Sequence, residues 1–167
     1  PPAPAEVDAE YKARREELRD KSEDKVNLFT ITIPIFGGGN TKEQQLALAK
    51  DLRKKLVAGA DFAETARTYS QDSKAEAGGA WGWVDRTLLN ETLANSAFSI
   101  PAKTVSDVVE DGAFFRILYV EARSLAEPKP LSEVRSQIER FVDQKKAKEI
   151  HDRWVAILRK DAIIRRF

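Results

Sequence analysis

The spacing of apolar positions changes repeatedly along this chain, and each change marks an element. Residues 5–21 are charged, with Val7, Tyr11 and Leu18 on one thin apolar stripe, and predict a short helix. Val26 to Phe36 is dense in Val, Ile, Thr and Phe and predicts a strand, with Pro34 near its exit. Gly37–Gly39 is a connector. Thr41 with Gln44 forms a capping-box pattern opening a helix that Gly59 stops, and Asp61 with Glu64 repeats the signal for a shorter helix carrying Phe62, Ala66 and Tyr69. A polar loop, Ser70–Ala77, leads to a short strand over Trp81–Val84. Asn90 caps a helix that runs through Phe98. Residues 104–109 and 114–122 are β-rich, and Asp111-Gly112 between them marks a hairpin.

After Pro128 and Pro130 the period becomes helical over Leu131–Lys160, through Leu131, Val134, Ile138, Phe141, Ile150, Trp154, Ile157 and Leu158. About 30 residues at ~1.5 Å each exceed the width of a small domain. The first half is expected to lie on the β-containing core. The second half, with Trp154 outward, requires a partner: the N-terminal helix, a missing domain or a second copy. No internal repeat is evident.

Composition narrows the function classes. The chain has 167 residues, 28 basic and 27 acidic, for a net charge of +1. That balance opposes a nucleic-acid footprint or an electrostatic membrane patch. No apolar run approaches the ~20 residues that span a bilayer. With no Cys, thiol chemistry and thiolate metal sites are excluded, and with a single His neither a structural zinc site nor any other metal or cofactor is expected. The lack of Cys fits an oxidising compartment. The chain starts at Pro1 and contains no Met, so a fragment or processed form is expected, with any signal segment upstream. Arg14-Arg15-Glu16-Glu17 and Lys145-Lys146 read as solvated helix faces. Gly37–Gly39 lacks the Lys-Ser/Thr of a phosphate loop.

The most informative stretch is Gly78-Gly79-Ala80-Trp81-Gly82-Trp83. Glycines permit backbone conformations closed to other residues, and the tryptophans bring large apolar faces to the same place. Such a turn builds a hydrophobic seat and holds no nucleophile.

The order of elements and several motifs resemble the parvulin (rotamase) family. Val26-Asn27-Leu28-Phe29-Thr30-Ile31-Thr32-Ile33 is similar to its first strand. Gly59-Ala60-Asp61-Phe62 with Ser70-Gln71-Asp72, the Gly78–Trp83 turn, Ala97-Phe98, Val105-Ser106 and Phe115–Val120 follow its later signatures. The resemblance covers about residues 26–122. The flanking helices resemble those around parvulin modules in SurA- and PpiD-type extracytoplasmic foldases. It implies an α+β fold with a small four-stranded antiparallel or mixed sheet, surrounding helices, an N-terminal helix and a long C-terminal helix. The implied division is 1–25 (tail and helix), 26–124 (parvulin-like domain) and 125–167 (C-terminal helical region).

The resemblance also implies peptidyl-prolyl cis–trans isomerisation, which needs no cofactor or covalent intermediate. The proline seat would be Trp81, Leu89 and Leu93, with Phe98 behind. Leu89, Leu93 and Phe98 fit the core face of one helix equally well. The family's polar positions fall at Thr30, Asp72 and Arg116, where Thr30 and Arg116 replace histidines. Asp72 either pairs with Arg116 or caps its own turn. His151, on the C-terminal helix, is no substitute. These substitutions imply a foldase that binds extended, Pro-containing segments of unfolded or nascent polypeptides with isomerase activity weak or lost. The alternatives are a fully active isomerase using Asp72 and the Leu89/Leu93 pocket, or an assembly module forming a homodimer through the C-terminal helix. A periplasmic or otherwise extracytoplasmic bacterial setting follows from the same resemblance.

Overall fold

The computed structural model describes residues 1–165. Contacts divide the chain into two compact units, residues 1–20 with residues 127 onward, and Lys21–Ala126.

Within Lys21–Ala126 the elements are β1 (Lys25–Pro34), α2 (Lys42–Val57), α3 (Phe62–Tyr69), β2 (Ala80–Asp85), α4 (Glu91–Ser99), β3 (Thr104–Val105), β4 (Val109–Asp111) and β5 (Phe114–Ser124). Every strand pairing is antiparallel, in the order β2-β1-β5-β3, with β4 pairing a separate stretch of β5. The sheet has five strands rather than the expected four. The β-rich segment 104–109 splits at Ser106, whose hydroxyl accepts the Leu118 N–H (2.9 Å), so two short strands share one long neighbour.

Side chains alternate across β1 and β5 and bury both faces. Val26, Leu28, Leu118 and Val120 pack with Leu93, Ala94 and Ala97 of α4. Ile31, Ile33, Phe115 and Ile117 pack with Ala49, Leu52 and Leu56 of α2 and Ala66 of α3. The helices start where the caps predict. Gln44 N–H donates to Thr41 Oγ1, Glu64 N–H to Asp61 Oδ1 and Leu93 N–H to Asn90 Oδ1.

The helical unit contains α1 (Pro4–Ala13) and α5 (Leu131–Ile164). The N-terminal helix is shorter than the expected 5–21. Its chain turns after Ala13, with Leu18 N–H bonded to the Arg14 carbonyl, and this turn buries Leu18. Val134, Ile138 and Val142 of α5 form a cluster with Val7 and Leu18, so the first half of α5 is covered by the N-terminal segment, where the pattern predicted the β-containing core. Further along, Ile150, Trp154, Ile157, Leu158 and Ile164 are exposed. Lys129 N–H donates to the Leu18 carbonyl and Arg19 bridges Pro128, so the two segments of this unit meet side by side.

Candidate functional site

The glycine turn is built around one backbone approach. Gly79 has φ +81° and its carbonyl accepts the Thr30 N–H at 2.9 Å; a Cβ there would overlap the Thr30 carbonyl oxygen. Gly78, at φ +70°, lies so close to Ala63 that a Cβ would come within 2.6 Å of the alanine methyl. The β1–β2 register then jumps from Leu28↔Gly82 to Phe29↔Ala80, leaving Trp81 as the extra residue of a bulge. The bulge aims the indole at the sheet, where Nε1 donates to Thr30 Oγ1 at 2.9 Å.

Beside Trp81 lies a polar network. Thr32 and Arg116 face each other across β1 and β5. Thr32 Oγ1 donates to Asp72 Oδ2 (2.5 Å) and accepts from Arg116 Nη1 (2.9 Å). Asp72 Oδ1 accepts the Lys74 N–H (3.0 Å) and the Ser70 hydroxyl (3.3 Å), while Ser70 Oγ accepts the Thr32 N–H (2.9 Å). Arg116 Nε donates to Asp111 Oδ2 at 2.8 Å, and Asp111 in turn accepts from Asn90 Nδ2. Arg116, Asp72 and Asp111 keep only 16%, 19% and 13% of their side-chain surface exposed, so the guanidinium is held between two largely shielded carboxylates, directly bonded to Asp111 and linked to Asp72 through Thr32.

The expected site residues are therefore only partly brought together. Asp72 and Arg116 approach to 3.9 Å, and Asp72 also caps its own turn; both readings of Asp72 hold at once. Thr30 does not join them: its hydroxyl is taken by Trp81, and Thr32 occupies the central position. The two threonines are two residues apart and share a face, so alternation cannot choose between them. Leu89 and Leu93 correct the expectation of an open apolar seat. At 9% and 3% exposure they belong to the core cluster with Leu28, Leu118 and Val120. Trp81 and Phe98 remain partly open against that cluster. Cations lie over both rings, Lys74 Nζ at 5.4 Å from Trp81 and the Arg86 guanidinium at 5.1 Å from Phe98. His151 lies exposed on α5.

Sequence reasoning missed Thr32 and Asp111. Asp111 carried a visible turn signal, but its bond to Arg116 depends on the β4–β5 hairpin bringing residues five apart onto one face. Chemically, the network contains no free nucleophile: the Thr32 hydroxyl is buried and bonded on both sides. The Arg116 guanidinium is fixed by Asp111 and Thr32, and its Cζ lies 5.3 Å from the Phe114 ring centre.

Comparison with known proteins agrees with this architecture. The sequence profile of the Rotamase family, described as the PPIC-type PPIASE domain, matches residues 32–122. The chaperone SurA of Vibrio parahaemolyticus is 33% identical over 118 residues, covering 71% of this chain and 27% of its own length. The foldase protein PrsA of a Geobacillus species is 33% identical over 99 residues, covering 59% of this chain and 35% of its own. The chain thus spans about a third or less of these relatives. The crystal structure of a PpiC-type peptidyl-prolyl cis-trans isomerase domain superposes with a TM-score of 0.59 at 28% identity, covering 65% of this chain and 98% of that domain. With the profile spanning more than half of its residues and the fold in agreement, the chain belongs to the PpiC-type rotamase, or parvulin, family.

Proposed function

We propose that this chain is a foldase module of an extracytoplasmic bacterial chaperone that binds extended, Pro-containing segments of unfolded polypeptides and isomerises them weakly. Lys21–Ala126 serves as the peptide-handling module and the α1–α5 pair as part of a chaperone-type helical region. The family relationship and the SurA and PrsA relatives support the class. The observation that carries the weak activity is the closed network around Arg116.

Rotation about an X–Pro bond meets a barrier of ~18–20 kcal/mol. Lowering it requires a donor or dipole that strengthens its contact as the amide twists. Here Arg116 Nε and Nη1 already serve Asp111 and Thr32. Reorienting the guanidinium would leave two half-buried carboxylates facing each other. A proline ring would rest against Trp81 and Phe98 by displacing Lys74 and Arg86, with apolar contact supplying the affinity. The seat favours binding over catalysis.

A protease-coupled isomerisation assay over several X–Pro peptides tests this, run beside suppression of aggregation of an unfolded client. The expected result is exchange near the uncatalysed rate, tens of seconds, with aggregation suppressed. Rapid turnover that disappears in Asp72→Asn would establish the active isomerase instead.

A second reading, self-association, is favoured by the exposed stripe Ile150, Trp154, Ile157 and Leu158. Antiparallel pairing centred near Ile157 would set Arg153 against Asp161 of a second copy. Sedimentation of the wild type beside Trp154→Glu checks it: a dimer lost in the variant is expected, and a monomer in both removes the reading.

A further inference from the structure

The face of the sheet opposite Arg116 carries a cleft of about 630 Å³ lined by the end of α2, α3, β1, β5 and the β3 segment. Its floor is an aromatic triad. Phe62 stacks on Tyr119 with ring centroids 5.6 Å apart, and Phe29 stands 6.3 Å from Phe62 and 6.1 Å from Tyr119. All three rings are half-buried, so each leaves part of its face open to the cleft.

Two departures from regular backbone converge on the rim. The β1–β5 register steps from Asn27↔Ala122 to Leu28↔Val120, which makes Glu121 the extra residue of a bulge. Lys103 has φ +61°, the one positive φ outside glycine among the described residues. That conformation sets Lys103 Nζ 2.5 Å from Glu121 Oε1. Strained backbone of this kind concentrates where a surface has a task beyond packing. The bond to Lys103 holds the Glu121 carboxyl below its ordinary range, so it stays anionic at neutral pH. Asp61 adds a second carboxylate to the lining against the single ammonium of Lys103.

From this lining we infer that the cleft binds an extended polypeptide through an aromatic side chain followed by a basic residue. A fourth ring would sit edge-on or offset against Phe62 and Tyr119. The following Lys or Arg would meet Asp61 and Glu121, the surplus negative charge of the rim. The inference extends the client-binding reading but uses none of Trp81, Phe98 or Arg116. One client could therefore engage both faces of the sheet, with avidity set by the chain between its two contact points.

The test is an amide NMR titration of the isotope-labelled chain with a proline-free peptide containing Trp-Lys, and separately with an Ala-Pro peptide. Saturable shifts at Phe29, Phe62, Thr104 and Tyr119 are expected for the first peptide. Its Kd should weaken roughly tenfold when its Trp becomes Ala, the scale of one aromatic contact, and by a smaller factor when its Lys becomes Glu. Phe62→Ala should raise the Kd of the Trp-Lys peptide and leave the Ala-Pro peptide unaffected. If that variant does not fold, the wild-type shift map decides alone. No saturable shift with the Trp-Lys peptide, or shifts confined to Trp81, Phe98 and Arg116, overturns the inference. Failure of the Ala-Pro peptide alone would count only against the proline-groove reading.

Discussion

Arg116 and Asp111 form a 2.8 Å ion pair whose partners keep less than a fifth of their side-chain surface exposed, and the same guanidinium reaches Thr32 across the β1–β5 pairing. The pair ties the tip of the β4–β5 hairpin to the centre of the sheet. It also separates Asp72 from Asp111.

Removing that guanidinium should therefore cost more than one hydrogen bond. Arg116→Ala leaves two half-buried carboxylates without their shared cation, and an expected loss of about 2–3 kcal/mol lies at or below the range for fully buried pairs. Thr32→Val, which removes one hydroxyl from the network, should lose about 1–2 kcal/mol. Urea unfolding followed by circular dichroism measures both; equal, near-zero effects would mean that the network contributes nothing to stability.

The glycine turn predicts a graded series. Gly79→Ala should destabilise most, by about 3 kcal/mol or more, because its Cβ overlaps backbone that cannot move aside. Gly82→Ala, with open space around its Cβ but φ +75°, should cost only the ~1–2 kcal/mol of a left-handed conformation. Thermal melts of the two variants would rank them, and the reverse order would contradict the Gly79–Thr30 contact.

Burial of Leu93 makes it a stability residue first. Leu93→Ala should lose about 2–5 kcal/mol, the cost of a core cavity. A variant with unchanged unfolding midpoint but weakened peptide affinity would instead restore the open seat expected from the sequence.

In the helical unit, Glu10 accepts from Arg14 Nε at 2.6 Å and lies 3.5 Å from Lys145 Nζ. The bond to Arg14 holds its carboxyl below the usual range, against a smaller opposing effect of burial. A carboxyl depressed on folding contributes stability that is complete above its unfolded pKa of ~4.3 and fades as the pH falls through the lower folded value. Acidification below about pH 4 should loosen the α1–α5 contact, and Glu10→Gln should flatten that part of the profile. Melting temperatures between neutral pH and pH 3 test this; identical slopes for wild type and variant would discard it.

Much of the fold was readable in the residues. Thr41, Asp61 and Asn90 announce their helices because a cap is a local interaction, fixed by residues three apart. The five-stranded arrangement was less so, since Ser106 splits a β-rich run through a bond to Leu118, twelve residues away. The site was the least legible part. Alternation assigned Thr30 and Thr32 to one face, but which of them meets Arg116 depends on cross-strand register and on the bulge that puts Trp81 over Thr30. Leu89 and Leu93 carry the same apolar pattern whether they floor a groove or fill a core, and their burial depends on Leu28, Leu118 and Val120 from distant strands.

The contact of Leu18 with Lys129 and of Arg19 with Pro128 gives Lys21–Ala126 the character of a cassette, entered and left through one doorway. A short turn joining residue 20 to residue 127 would close that doorway with the helical pair undisturbed. The insert could thus be exchanged or duplicated while the paired ends of its frame, Leu18 with Lys129 and Arg19 with Pro128, keep their register.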